Sequence, residues 1–239
     1  ALQGAQLILI DKDLVAQQSL LNELEMEFNQ KKFYSLHCDL SIESEREKGF
    51  NQILQKFTKL DGIIHNAGID PRSPIEKTSM TFLHKIFAVK FDAAVHIIQK
   101  LVPILKKSMA GRVLLMGSVT NELGTSFLSA YASANAAVSG LTRSLAHELG
   151  EFNITVNCIN PGSVAVEKNL KDLKSEKGQT LIHSQSITRQ IVPSDLFGLM
   201  CLLLSESGAL ITAQNITIDG GLTHEISKKA FQNEILGAH

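Results

Sequence analysis

Short, continuous apolar runs alternate along the chain with longer segments whose apolar residues recur every three or four positions. A parallel sheet covered on both faces by helices has this pattern. The runs predict strands over residues 6–10, 33–37, 62–65, 112–116, 155–159 and 215–218, with right-handed helical crossovers between them. Residues 14–28 predict a helix with Leu20, Leu21, Leu24 and Phe28 on one face. Residues 41–57 predict a second, opened by a Ser-x-x-Ser cap and an acidic first turn. A long helical segment over 79–109 contains Pro103, expected to kink it or end its regular part. The polar, weakly periodic stretch 168–189 predicts a mobile excursion over the carboxyl edge of the sheet.

At 239 residues and 44% hydrophobic, the chain suits one α/β domain over 1–239. A formal net charge of -1 with both signs scattered gives no electrostatic footprint for nucleic acid or an anionic membrane. The apolar runs are far shorter than the roughly 20 residues that span a bilayer. Cys38, Cys158 and Cys201 lack ligand spacing, which points to reduced, buried thiols in a cytoplasmic protein with no metal site. The first residue is Ala, so a targeting segment or further chain before it stays open.

Several local motifs then fall in a telling order. Gly4-Ala5 precedes Leu7-Ile8-Leu9-Ile10-Asp11. Cys38-Asp39-Leu40 follows the second expected strand, and His65-Asn66-Ala67-Gly68 closes the third. Gly111-Arg112-Val113, Gly117-Ser118, Tyr131-x-x-x-Asn135, Asn157-Cys-Ile-Asn-Pro161-Gly162 and Asp219-Gly220-Gly221 come after them. From about residue 3 to 222 the order resembles the short-chain dehydrogenase/reductase family. The resemblance implies a Rossmann-like, doubly wound parallel sheet and an NAD(H)-dependent oxidoreductase that interconverts an alcohol and a ketone.

By resemblance, Tyr131 is the acid/base and Ser118 polarises the same oxygen, as hydride chemistry at a carbonyl requires. Asp39, Leu40, Asn66, Ala67 and Gly68 lie on the adenosine side, while Pro161, Gly162 and Val164 flank the nicotinamide. His65 is read as packing, and Val166 stands where the family's loop usually has Thr. Asp11, ending a strand at the cofactor edge, suits the ribose hydroxyls of NAD and repels the phosphate of NADP. Lys12 beside it keeps NADP open, and a solvated carboxylate or a cap for the helix at Leu14 is the plainer reading of Asp11. The family also implies a homodimer or homotetramer.

Two departures qualify the resemblance. The family's opening strand, central in its sheet, and the Gly-rich turn that receives the pyrophosphate are missing, so the domain is expected to be N-terminally incomplete, with two inner strand edges left unpaired. The family's Tyr-x-x-x-Lys is here Tyr131-x-x-x-Asn135, and the Asn of the preceding helix is here Lys90. Either Lys90 and Asn135 have exchanged duties at the active site, or Lys90 is a surface lysine and the proton relay is lost. The second case makes the chain a non-catalytic binding or assembly module.

Overall fold

In the computed structural model, which describes residues 4–28 and 33–224, all six expected strands form and all their pairings are parallel. Strand β1 (Leu7–Asp11) pairs with β2 (Phe33–His37). Strands β3 (Gly62–His65), β4 (Arg112–Met116), β5 (Thr155–Pro161) and β6 (Asn215–Ile218) form a second sheet in that order. The α/β class stands, but the described strands form two sheets rather than one. Asp11 is the last residue of β1, and β5 runs on to Pro161, beyond the expected end at 159.

Strand β4 is buried at every residue, which is why it reads as an unbroken apolar run. Val113 and Leu115 face α4 (Ala93–Leu105) and α5 (Ser129–Leu149), where they join Val156, Cys158, Ile97, Leu101 and Val138. Leu114, Met116 and Ile159 pack on the other face against Leu196 and Leu203 of α8 (Ser194–Leu204). The first cluster also takes in Ile8, Ile10, Tyr34 and Leu36, together with Phe50 and Ile53 of α2 (Glu43–Lys56). Side chains therefore bridge the two sheets. At the edge of the larger sheet Ile64 is 45% exposed, and β1 is at most half-buried, so solvent reaches the flanks of both edge strands.

Helix α1 (Leu14–Phe28) has the expected bounds, but Leu20 is exposed and Gln17 is the buried residue. Its Nε2 donates to the carbonyls of Leu9 at 3.0 Å and Leu36 at 3.1 Å, so an amide rather than a leucine fastens the helix to β1 and β2. Gln17→Leu is expected to cost about 1–3 kcal/mol, because two carbonyls lose their donor. The measurement is a lower urea midpoint with an unchanged slope.

Three further expectations need correction. Helix α2 starts at Glu43 without a serine cap: Ile42 is the cap residue, and the Ser41 hydroxyl donates to Asp39 at 2.7 Å. The long helix over 79–109 is interrupted well before Pro103. After α3 (Met80–Phe87), capped by Ser79, residues Ala88–Asp92 form a π-helical turn, and α4 follows. Pro103 lies inside α4, which ends two residues later at Leu105, so it limits the helix and the π turn supplies the irregularity. The stretch 168–189 is not a structureless excursion; it holds α6 (Leu170–Lys174) and α7 (Glu176–His183). Each buries one apolar residue, Leu173 or Ile182, too few to produce a visible period.

Candidate active site

The carboxyl ends of β3, β4 and β5 open onto a cavity of about 360 Å³. Asn66, Gly68, Ile69 and Asp70 line it after β3; Met116 and Gly117 line it at the end of β4; Pro161, Val164 and Val166 follow β5. Tyr131 enters from the first turn of α5, Lys90 from the π turn, and Pro193 and Leu196 from the start of α8. The open edge of a parallel α/β sheet, where helix-bearing loops converge, is where such folds bind ligands.

Gly117 makes this edge possible. A Cβ there would lie 2.0 Å from Asn160 Oδ1 and 2.9 Å from Cys158 Sγ, both on the neighbouring strand and both fully buried. Gly117→Ala is expected to destabilise the fold by about 1–3 kcal/mol through overpacking, read as a lower Tm together with loss of ligand binding at the cavity.

Ser118 directly follows β4 and is buried, and its Oγ accepts from the Thr120 N–H at 3.3 Å. Burial pushes the Tyr131 phenol above its ordinary pKa, while the Ser118 and Asn135 side chains pull it back less strongly. Asp70 pushes it further up and Lys168 pulls it down. Those two residues form an ion pair, tying the loop after β3 to the segment before α6 beside the cavity. Asn135 is fully buried, one turn after Tyr131. Its Nδ2 donates to the Tyr131 carbonyl at 2.9 Å, and its Oδ1 has no partner among the described residues.

Lys90 is not a surface lysine: it is 3% exposed. The π turn inserts an extra residue into the helix and so turns this side chain inward, a use typical of such bulges. Burial pushes its amine down to about 8, with the Cys158 thiol acting weakly in the other direction. The Lys90 Nζ has no hydrogen bond or ion pair among the described residues. His65, buried nearby, is pushed down to about 3 by burial and by Lys90, so its ring is neutral. The structure thus brings Tyr131 and Lys90 to one cavity wall, with the buried Ser118 and Asn135 side chains acting on the phenol from behind it, while the charges acting on the phenol are those of Asp70 and Lys168.

The remaining candidates lie along the same edge of the sheets. Asp11 ends β1 exposed, and one of its carboxylate oxygens accepts from the Asp13 N–H at 2.9 Å. The cap of α1 is Asp13, which accepts from Ala16, so Asp11 is not the helix cap. Asp39 is committed to its own turn through Ser41 and lies 3.7 Å from Lys12; Leu40 packs on the core. Val164 pairs with Ile191, and its carbonyl accepts from Asn169 at 2.7 Å. Pro193 and Leu196 were missed, since nothing local in sequence ties the start of α8 to Tyr131. Of the three thiols, Cys38 and Cys158 are buried and Cys201 only partly so.

A nicotinamide dinucleotide fits these residues in part. The exposed carboxylate of Asp11 and the bare backbone at Gly68 on the cavity wall leave polar groups for its sugars. Among the described residues no group of three or more His, Cys, Asp or Glu could hold a metal ion, and no helix is long and apolar enough to cross a membrane.

Comparison with known proteins agrees with this architecture. The family model described as Enoyl-(Acyl carrier protein) reductase matches residues 1–223. D-xylose 1-dehydrogenase of Caulobacter vibrioides is 28% identical over 92% of this chain and 87% of its own length. A tropinone reductase homologue of Arabidopsis thaliana is 31% identical over 78% of this chain and 71% of its own. A solved dehydrogenase/reductase of Sinorhizobium meliloti superposes with a TM-score of 0.85 at 27% identity, covering 93% of this chain and 86% of the other. With its cavity at the carboxyl ends of the parallel strands and a family match over nearly its whole length, the chain belongs to the short-chain dehydrogenase/reductase family of oxidoreductases.

Proposed function

We propose that this oxidoreductase interconverts a small alcohol and its ketone by hydride transfer, with NAD(H) as the favoured cofactor. The observation that supports the reading is the Tyr131 phenol on the cavity wall, with the buried Ser118 side chain acting on it. The cofactor, when bound, supplies or accepts the hydride. Tyr131 gives its phenolic proton to the carbonyl oxygen, and Ser118 donates a hydrogen bond to the same oxygen. Asn135 braces Tyr131 through its backbone carbonyl, and Lys90 supplies the cavity's positive charge, which an amide at 135 cannot. Met116, Val164 and Leu196 exclude water from the reacting atoms.

Asp11 supports NAD over NADP, and Lys12 is the feature that would accept the alternative. The parting of the strands between β1 and β3 supports the reading that the family's central strand and its pyrophosphate turn are missing from this chain. A cytoplasmic homodimer or homotetramer completes the proposal. The catalytically impaired reading keeps one observation in its favour: no lysine acts on the Tyr131 phenol from position 135.

The test titrates NADH and NADPH into the protein by fluorescence and follows cofactor oxidation against a panel of ketones, for wild type and Lys90→Ala. Saturable NADH binding with turnover that falls in the variant is expected. A folded protein that binds neither cofactor would instead be a binding or assembly module.

A further inference from the structure

Lys90 reaches the cavity wall while remaining 3% exposed. A Cβ on Gly68 would lie 3.4 Å from its Nζ, so the bare Gly68 backbone keeps one flank of the amine uncrowded. Its charged and titratable neighbours are few. Asp70 and Lys168 neutralise each other beside the cavity, and both are substantially exposed. Burial pushes the Cys158 thiol up to about 11, and the His65 ring and the Tyr131 phenol are also uncharged at neutral pH. Among the described residues no carboxylate pairs with Lys90 to hold it in its ammonium form.

A lysine desolvated in this way gives up its proton readily and becomes a nucleophile. With the amine at about 8, roughly one Lys90 in ten is neutral at pH 7, against about one in a few thousand for an ordinary lysine.

We propose that Lys90 is an imine-forming lysine whose amine captures small aldehydes and ketones entering the cavity. The nitrogen lone pair attacks the carbonyl carbon. A C–N bond forms, and the π pair moves onto oxygen, which takes the Tyr131 proton. The nitrogen then returns a proton to the Tyr131 phenolate, leaving a neutral carbinolamine. In the second half the Tyr131 proton goes to the hydroxyl, which leaves as water while the lone pair closes C=N; the proton remaining on nitrogen restores the phenol. The balance is amine plus carbonyl to imine plus water, with no oxidant or reductant. The proposal shares with the oxidoreductase reading the premise that carbonyl compounds enter this cavity and the use of Tyr131 as proton donor. It uses the neutral amine, whereas hydride transfer uses the ammonium form.

The test incubates the full chain with propanal and sodium cyanoborohydride at pH 7, without nicotinamide cofactor, and maps N-propyl groups by peptide mass spectrometry at short times. Lys90 should be alkylated at least about tenfold faster than exposed Lys107 and Lys171, because its neutral fraction is larger. Its labelling rate should level off above pH 8. Lys90→Met should lose the fast adduct and keep the slow ones. Labelling of Lys90 no faster than that of Lys107 and Lys171, in protein with native circular dichroism, overturns the proposal. The internal comparison is made within wild type, so it holds even where the variant folds poorly. A labelled Lys90 without ketone turnover refutes the hydride reading alone, and turnover without labelling refutes the imine alone.

Discussion

Tyr131→Phe lowers kcat for ketone reduction by about a thousandfold, the size expected for loss of a positioned proton donor, while Tm stays within a few degrees of wild type. The substitution removes one hydroxyl and keeps the ring that packs against Ile86, Ala130 and Ala134. Cofactor binding should therefore survive, and a matching loss of NADH affinity would move Tyr131 from proton transfer to cofactor binding. The direction of its pKa adds a second readout. Burial keeps the phenol protonated beyond its ordinary range, so ketone reduction should hold steady below about pH 8 and fall as the Lys90 ammonium is lost there. Alcohol oxidation needs the phenolate as acceptor and should climb into the alkaline range. An oxidation rate that saturates near pH 7 would show that another group takes the proton.

Lys90→Met raises Tm at pH 7 by about 6–12 °C, on the scaling for a domain of this size. A lysine brought from 10.5 down to about 8 by burial costs the folded state about 3 kcal/mol at neutral pH. Between these two values the unfolded chain binds the extra proton, so the wild type gains stability as pH rises from about 8 to 10.5, and the full penalty applies below 8. Methionine has no charge to desolvate, so the gap between the proteins should close by pH 10.5. Cys38 and Cys158, both pushed up to about 11 by burial, weaken the fold above their ordinary value in both proteins, and because Lys90 lowers the Cys158 thiol, the comparison is read below about pH 9, where both thiols stay protonated. A variant less stable than wild type at pH 7 would mean that Lys90 has a counter-charge in solution.

The strands were legible because β4 and β5 are buried on both faces and show it as unbroken apolar runs, and their order with the intervening helices was enough for the fold class. Asn66, just after β3, and Tyr131, in the first turn of α5, stand in local sequence motifs and both line the cavity. The π turn was not, since Ala88–Asp92 keeps an apolar rhythm that a regular helix would also show. Lys90 was misjudged in one of its two readings for the same reason: lysine is almost never fully buried, and only the extra residue in the turn carries it inward. Gln17 replaced Leu20 at the helix face because two strand carbonyls needed a donor, a demand set by tertiary placement. The cap at Ser41 failed because the helix begins at Glu43 with Ile42 in the cap position, while the Ser41 hydroxyl donates to Asp39.

Side-chain packing alone holds β1, α1 and β2 to the larger sheet: Ile8, Ile10, Tyr34 and Leu36 enter the common core, while no strand of one sheet pairs with a strand of the other among the described residues. Apolar contact has no preferred direction, whereas a ladder of hydrogen bonds fixes both angle and register. This three-element unit is therefore the part of the molecule that can swing and separate before the rest unfolds. Its amides should exchange with deuterium by that smaller opening, while those of β4, paired on both sides, wait for the whole domain to come apart.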